Sequence, residues 1–315
     1  MSLTVLLTVE AADRAPWRAA LLAGAAALGL PMTLHDDPAA VDPATVDCLV
    51  FAHAGPVQDF RPYVRLRAIL SIWAGVEKAL AMPGLPEGVP LTRMVEPGLV
   101  WGMRDYVVGH VMRRHLDLDA ALAGPGPVWG EPVPPLARDR TVGVLGLGAL
   151  GGVAARALAA LDFRVLGWSR TAKAIPGVDC RTGPEGLCAV LAAAEILVCL
   201  LPATPATEGL LDAAALALLP CGASLINAGR GALIDDAALL AALDAGRLAN
   251  ATLDVFRVEP LPADHPFRRH ARVTVTPHVA SATRPETAAP EILAQIARLA
   301  RGEPLIHVVD RRRGY

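Results

Sequence analysis

Short apolar runs rich in β-branched residues alternate with Ala/Leu-rich stretches of helical period almost from one end of the chain to the other. Such alternation predicts an α/β chain with parallel sheets, because parallel strands need helical crossovers between them. SLTVLLTV, DCLVFAH and LRAILSIW read as strands, and WRAALLAGAAALG as the helix between the first two. The Pro/Gly-rich stretch MPGLPEGVP then breaks the pattern ahead of LVWGMRDYVVGHVMRRHLDLDAALA, which reads as one long helix. A second break, GPGPVWGEPVPPLARD, leads into a further series of strands: TVGVLG, RVLGWS, ILVCLLP, ASLINAG, ATLDVF and VTVTP. That is six, the number of a complete doubly wound sheet. RPETAAPEILAQIARLARGE follows as a last helix. The pattern therefore predicts two domains, one over 98–282 and one made of 1–97 with 283–315 folded back onto it.

Length agrees, since 315 residues exceed one compact core of ordinary size. A net charge of −2 gives no field for gripping a phosphate backbone, and no basic run interleaves with aromatics, so nucleic acid is not an expected partner. Arg311, Arg312 and Arg313 read as a solvated tail. The five cysteines (Cys48, Cys180, Cys188, Cys199, Cys221) are odd in number, widely spaced and without a C-x-x-C pair. They read as small core residues, with neither a disulfide framework nor a metal site. MSLTVLLTVEAADR lacks the cationic start of a secretory signal, and the most apolar stretches are shorter than a membrane span or broken by Glu195. A cytoplasmic protein without a membrane partner is the expectation. Arginines outnumber lysines 27 to 2, so an isolated surface arginine carries little weight.

GVLGLGALGG places Gly146, Gly148 and Gly151 between a strand and a helix that begins near Ala149. In a dinucleotide-binding loop the first glycine makes the turn, the second admits the pyrophosphate and the third lets helix pack on strand. NAD-selective versions end the next strand in an acid that binds the ribose 2′-hydroxyl. Here that place reads GWSRTAK, with Ser169 at the acid's position and Arg170, Thr171 and Lys173 after it. A carboxylate would repel a 2′-phosphate, whereas a hydroxyl and a guanidinium can bond it. The reading is NADP(H) in preference, with NAD(H) still open; the alternative for Arg170 is a surface arginine that only stacks on adenine.

Three later strands end in polar residues: INAGRGALID with Arg230, LDVFRVEPLP with Asp254 and Glu259, and VTVTPHVAS with His278. Ligands collect at the carboxyl ends of strands in doubly wound sheets, so these residues point to one crevice. Together with the glycine loop, SIWAGVEKAL and LPATPATEGLL, they resemble the D-isomer-specific 2-hydroxyacid dehydrogenase family. Within it, EPLPADHPF, RVTVTPHVASATRPE and the WSR after the second strand are most similar to the glyoxylate/hydroxypyruvate reductase A group. The resemblance implies a Rossmann dinucleotide-binding domain inserted in a flavodoxin-like substrate domain, both doubly wound parallel sheets. It also implies reduction of small 2-keto acids, glyoxylate to glycolate and hydroxypyruvate to D-glycerate, by a homodimer joined through the long helix near Arg104–Ala121.

The same resemblance implies a role for each matching residue. His278 would be the general acid that protonates the carbonyl oxygen as hydride reaches its carbon. Glu259 would bond the other ring nitrogen, fixing the tautomer and favouring the protonated ring. Arg230 would pair with the substrate carboxylate and align the carbonyl. Trp73 and the backbone amides of Ala74, Gly75 and Val76 would meet the substrate from the other domain. Ala149, Leu150, Leu201, Pro202, Thr207 and Ala228 would line the cofactor with the glycines, and Asp254 would meet the nicotinamide amide. Arg284 would reach the substrate's far end or be a helix-start surface arginine. Trp73 stands where a smaller residue is common, narrowing the pocket or packing under its loop; Phe267 stands where a Trp is often found in the site wall.

Three rivals stay open. One is a dehydrogenase of the same family for a bulkier acid such as phenylpyruvate, and another is a nucleotide-sensing binding protein of the same fold, from which the absence of long motif-bearing tails detracts. A phosphoglycerate dehydrogenase with a regulatory domain has no sequence left for that domain.

Overall fold

A computed structural model of the protein describes residues 2–122 and 133–314. Most of the second Pro/Gly break, GPGPVWGEP, lies outside the described residues. Two compact units emerge, Met1–Leu99 with Thr283–Tyr315, and Val100–Ala282.

In the first unit β1 (Leu3–Thr8), β2 (Met32–His35), β3 (Cys48–Phe51), β4 (Ala68–Ser71) and β5 (Leu91–Thr92) form a parallel sheet ordered β2-β1-β3-β4-β5. The expected strands are there, β2 and β5 are additional, and the single-turn helix α2 (Glu77–Leu80) lies between β4 and β5 along the chain. Both additional strands are short edge strands, four and two residues long, which leave no apolar run to read. Helix α1 (Ala11–Leu28) ends at Gly29 with φ 57°, where Leu30 N donates to the Ala25 carbonyl at 3.0 Å and stops the helix. The C-terminal helix Pro285–Arg301 buries Ala288, Ala289, Ile292, Leu293, Ile296 and Leu299, one face at helical spacing, and packs against α1. Gly24 allows this approach, since a Cβ there would lie 2.4 Å from Leu293 Cδ1.

The tail beyond this helix is docked. Buried Gln295 donates to the Ile306 carbonyl at 2.8 Å and accepts from Ile306 N at 3.1 Å, and Val309 N donates to the Leu91 carbonyl at 2.8 Å. Arg311 donates to the Val89 carbonyl, so of the terminal arginines only Arg312 and Arg313 fit the expected solvated tail.

Burial holds the His53 imidazole down at about 4, with Lys78 pushing the same way against Glu77, and burial with Arg93 lowers His307 too. Such rings stay neutral in the fold. Between the ordinary value of 6.5 and about 4 the unfolded chain therefore binds more protons than the native one, and stability rises with pH across that window. The urea midpoint should fall as pH drops from 7 towards 4.5, and more shallowly in His53→Gln; an equal slope in the variant would remove His53 as a cause.

All but the first three residues of α3 (Pro97–His115) belong to the second unit. Expected as one helix over the whole of LVWGMRDYVVGHVMRRHLDLDAALA, it breaks: Asp117 has φ 49°, and α4 (Leu118–Leu122) is separate. The turn lets the Asp119 carboxylate reach back to Arg113 at 2.6 Å and to Arg114. The sheet then contains β6 (Thr141–Leu145), β7 (Arg164–Trp168), β8 (Val178–Arg181), β9 (Ile196–Cys199), β10 (Ala223–Asn227), β11 (Leu248–Leu253) and β12 (Val273–Val275). All seven are parallel, in the order β12-β11-β10-β9-β6-β7-β8. Six were expected. The seventh, β8, is the polar edge strand VDCR, exposed at alternate residues, so it lacks the apolar signature of a buried parallel strand.

Strand alternation sorts the core onto two faces. Ile196 and Val198 of β9 join Val142 and Val144 of β6 under α3 (Met103, Val107, Val111) and α5 (Ala149–Ala160), through Ala154, Ala155 and Leu158. Leu197 and Cys199 face the other way, towards Val190 and Leu191 of α6 (Gly183–Ala193), Leu216 of α7 (Ala213–Leu218) and Leu239 and Leu243 of α8 (Asp236–Asp244). Each fully buried leucine contributes about 2 kcal/mol of transfer free energy.

Only Cys48 and Cys199 are core cysteines, with burial pushing the Cys199 thiol up to about 12; Cys188 and Cys221 are exposed, against the expectation that all five pack inside. Among the described residues no helix is long and apolar enough to cross a membrane, and no three His, Cys, Asp or Glu side chains are grouped to hold a metal ion.

Candidate active site

The glycine loop joins β6 to α5, and each glycine has its own reason. Gly146 has φ 105°, and a Cβ there would lie 2.8 Å from the Leu200 carbonyl oxygen. At Gly151 a Cβ would meet the Gly146 carbonyl oxygen at 1.9 Å, so only glycine lets the helix close onto the turn. Gly148 differs. A Cβ on it would have nothing within 4 Å, because this exposed N-cap of α5 fronts open space. Open space above a helix start whose first amides lack intrahelical acceptors is what a dinucleotide's pyrophosphate requires, and the loop fits one.

Ala149 is exposed and Leu150 half-buried at the start of α5. Leu201 and Ala228, by contrast, are 6% exposed and sit in the two cores. Their side chains pack into those cores, so a ligand would meet these two residues chiefly through their backbone. Thr207 Oγ1 donates to the Pro202 carbonyl at 2.7 Å and accepts from Thr204 N at 2.9 Å, which ties the loop after β9 into a closed turn.

Past β7, Ser169 is buried and its hydroxyl donates to the Thr171 carbonyl at 2.8 Å. That contact braces the turn that carries Arg170 and Thr171. Arg170, Thr171 and Lys173 are exposed, and no carboxylate occupies the strand end. Lys173 and Arg156 line a cleft of about 270 Å³ beside Leu147, Gly148, Gly152 and Ile175. Arg156 escaped sequence reasoning, although Gly148, Gly152 and Arg156 stand at i, i+4 and i+8, one face of α5. Among 27 arginines that spacing does not stand out.

At the opposite half of the same sheet, three loops converge. A Cβ on Gly231 would lie 2.0 Å from the Phe256 carbonyl carbon, so the turn after β10 rests directly on the backbone after β11. The first turn carries Arg230, half-buried, whose Nη1 donates to the Gly229 carbonyl at 2.7 Å; Asn227 braces it from within, donating to the Arg230 carbonyl at 3.0 Å and accepting from Gly229 N at 3.1 Å. The second carries Glu259, whose Oε1 accepts from Phe256 N at 2.9 Å and whose Oε2 lies 2.8 Å from His278 Nδ1. With Nδ1 occupied by a carboxylate, Nδ1 is the donor and Nε2 is the nitrogen left for another partner on a half-exposed ring.

His278 has φ 55°, a left-handed conformation that costs a non-glycine residue about 1 kcal/mol. Three amides in succession hold it there. His278 N donates to the Asp254 carbonyl, Val279 N to Asp254 Oδ1 and Ala280 N to Oδ2, each at 2.9 Å. Asp254 is 1% exposed and also accepts from Thr276 Oγ1 at 2.6 Å. Three of its four lone-pair positions thus serve Thr276 and the His278 loop.

In the first unit, Trp73, Ala74, Gly75 and Val76 follow β4, and the amides of Ala74, Gly75 and Val76 donate to no group among the described residues. Trp73 is exposed, with its indole edge-on to His53 at 4.0 Å between ring centroids, so it does not pack under its loop. Arg284 is the exposed N-cap residue of the C-terminal helix. Phe267, in the second unit, is 2% exposed inside the core and forms no wall of an open site.

A family model described as D-isomer specific 2-hydroxyacid dehydrogenase, NAD binding domain, matches residues 112–280. Two relatives named glyoxylate/hydroxypyruvate reductase A, from Yersinia enterocolitica and Serratia proteamaculans, are 42% identical over 259 residues and 43% over 258; each match covers 80% of this chain and 82% of the relative. A solved D-isomer specific 2-hydroxyacid dehydrogenase from Xanthobacter autotrophicus Py2, in complex with NADPH and MES, is similar with a TM-score of 0.90 and 39% identity over 100% of both chains. An NADPH-dependent glyoxylate/hydroxypyruvate reductase from Sinorhizobium meliloti, in complex with NADP and sulfate, gives 0.85 and 36%, again over 100% of both.

Proposed function

Because this chain belongs to the D-isomer specific 2-hydroxyacid dehydrogenase family, we propose that it reduces glyoxylate to glycolate and hydroxypyruvate to D-glycerate, with NADPH preferred over NADH. The observation that carries the chemistry is the His278 Nδ1 to Glu259 Oε2 contact of 2.8 Å beside the Arg230 turn. The substrate class comes from the relatives named for it, and the cofactor preference from neighbours crystallised with NADPH or NADP and from the missing acid after β7.

Bound nicotinamide supplies a hydride; the chain supplies everything else. Glu259 keeps a proton on Nδ1 and stabilises positive charge on the ring, so that Nε2 can donate to the carbonyl oxygen as negative charge develops there. Arg230 pairs with the substrate carboxylate and fixes the carbonyl's direction. Gly146, Gly148 and Gly151 with the first turn of α5 hold the pyrophosphate, and Arg170 and Lys173, with Arg156 beside them, hold the 2′-phosphate.

A cytoplasmic homodimer completes the reading. The groove between α3 and α5, lined by Arg104, Val108, Ala157 and Leu161, and the half-exposed Trp101 offer a second copy an apolar surface.

Initial rates with each reduced nicotinamide against glyoxylate, hydroxypyruvate and phenylpyruvate test the proposal. Oxidation with none of the acids would sink it, and a preference for phenylpyruvate would redirect it to the bulkier-acid class. The double variant Arg170→Gln/Lys173→Gln should lose about tenfold or more in kcat/KM for NADPH, the worth of one charge-assisted hydrogen bond, with NADH little changed. Equal losses with both cofactors would move these residues off the 2′-phosphate.

A further inference from the structure

A buried polar seam runs beneath the His278 loop, on the face of the sheet covered by α3. Tyr106, His110 and Arg114 stand at i, i+4 and i+8 on that helix, one face by spacing. Opposite them, Thr252 and Asp254 alternate at and just past β11, and Thr274 and Thr276 at and just past β12, with Thr252 paired to Thr274 across the strands. Contacts follow the pattern. Arg114 Nη2 donates to Thr252 Oγ1 at 2.9 Å and to Thr274 Oγ1 at 3.2 Å, and Tyr106 Oη lies 2.7 Å from Thr276 Oγ1.

The direction of the hydroxyl chain can be deduced. Thr276 has one hydroxyl proton, and it goes to Asp254 Oδ1 at 2.6 Å, where an ionised carboxylate can only accept. Tyr106 must therefore donate to Thr276. Burial pushes the Tyr106 phenol up to about 12, against the opposing pull of the Thr276 contact, so this donor keeps its proton throughout the working range.

We propose that Tyr106 and Thr276 are positioning residues for the reduction, a hydroxyl relay that locks the Asp254 carboxylate in the rotamer that receives Val279 N and Ala280 N and so holds His278 in its left-handed conformation facing Glu259. The inference rests on the reading of His278 as the acid. Without the Thr276 donor, Asp254 Oδ1 loses its shortest hydrogen bond, and the carboxylate is free to rotate away from the two amides. The loop then samples positions in which Nδ1 and Glu259 part, and the ring turns from its aim. Neither hydroxyl need touch substrate for this to slow the chemical step.

Thr276→Val keeps the side chain's shape and removes the donor. Expected are amide hydrogen exchange about tenfold faster at His278, Val279 and Ala280 and a kcat for glyoxylate about tenfold lower, with the KM for NADPH within about twofold. Thr276→Ser should restore both, and Tyr106→Phe should give a smaller change in the same direction. Wild-type exchange and kcat in Thr276→Val would overturn the proposal. So would a loss confined to the KM for NADPH, which would place Asp254's function on the cofactor, or a loss that Ser fails to rescue. Accelerated exchange in a protein whose wild type reduces no 2-keto acid would overturn the functional reading and support the relay.

Discussion

Replacing His278 with alanine should lower kcat for glyoxylate by on the order of 10²–10⁴, the range that a positioned general acid supplies, while NADPH affinity stays within about twofold. Among the described residues the ring has one hydrogen-bond partner, Glu259 at 2.8 Å through Nδ1, and the amides of His278, Val279 and Ala280 keep their bonds to Asp254 whatever the side chain. Alanine therefore removes the donor without dismantling the loop, and it also relieves part of the left-handed strain at φ 55° only if the backbone changes, which the three amides oppose. The dinucleotide loop follows β6, four places in the sheet order from β12, the strand that leads into His278, so its affinity should not follow. Stopped-flow turnover with fluorescence titration of NADPH separates the two quantities. Retention of wild-type kcat would remove His278 from the chemistry altogether.

Gly231→Ala should cost about 10² in kcat/KM together with roughly 1–3 kcal/mol of stability, although Gly231 itself has no group to offer a substrate. Its added Cβ would lie 2.0 Å from the Phe256 carbonyl carbon and 2.4 Å from Arg257 N. These are backbone atoms rather than the yielding end of a side chain. Relief requires the Arg230 turn and the loop bearing Glu259 to separate, and a displacement of about 1 Å between catalytic groups is enough for a loss of that order. Gly148→Ala provides the contrast. With no atom within 4 Å of its Cβ, that variant should unfold like the wild type and lose NADPH affinity alone. Thermal unfolding and steady-state kinetics on the pair would show whether a glycine's place in the fold or its place under a ligand decides the outcome. Equal behaviour of the two variants would refute the distinction.

Much of the site was legible because its residues end strands. Parallel strands buried on both faces announce themselves as apolar runs, and whatever polar residue follows such a run stands at the carboxyl edge of the sheet, so Arg230, Glu259 and His278 could be assembled by counting strands. Edge strands escaped for the same reason: VDCR and LT are too polar or too short to form a run. The break in the long helix at Asp117 escaped because Asp119 pairs with arginines that precede it, a contact that helical periodicity does not encode. The hydrogen bond from Ser169 to the Thr171 carbonyl escaped because turn contacts of this kind belong to the fold and not to the run of residue types.

By itself the sequence determined the parallel α/β class, the glycine loop and the placing of Arg230, Glu259 and His278 after strands, all properties of local period and order along the chain, whereas the roles of those three residues came from resemblance to a family. Tertiary structure decided which polar groups remain for a ligand. Leu201 and Ala228 turned into core, Ser169 into a turn brace, and Asp254 into the clamp of the His278 loop. The physical reason is that a hydrogen-bonding group has few positions to fill, and what fills them comes from residues distant in sequence: Thr276 and Ala280 lie 22 and 26 positions from the Asp254 they occupy.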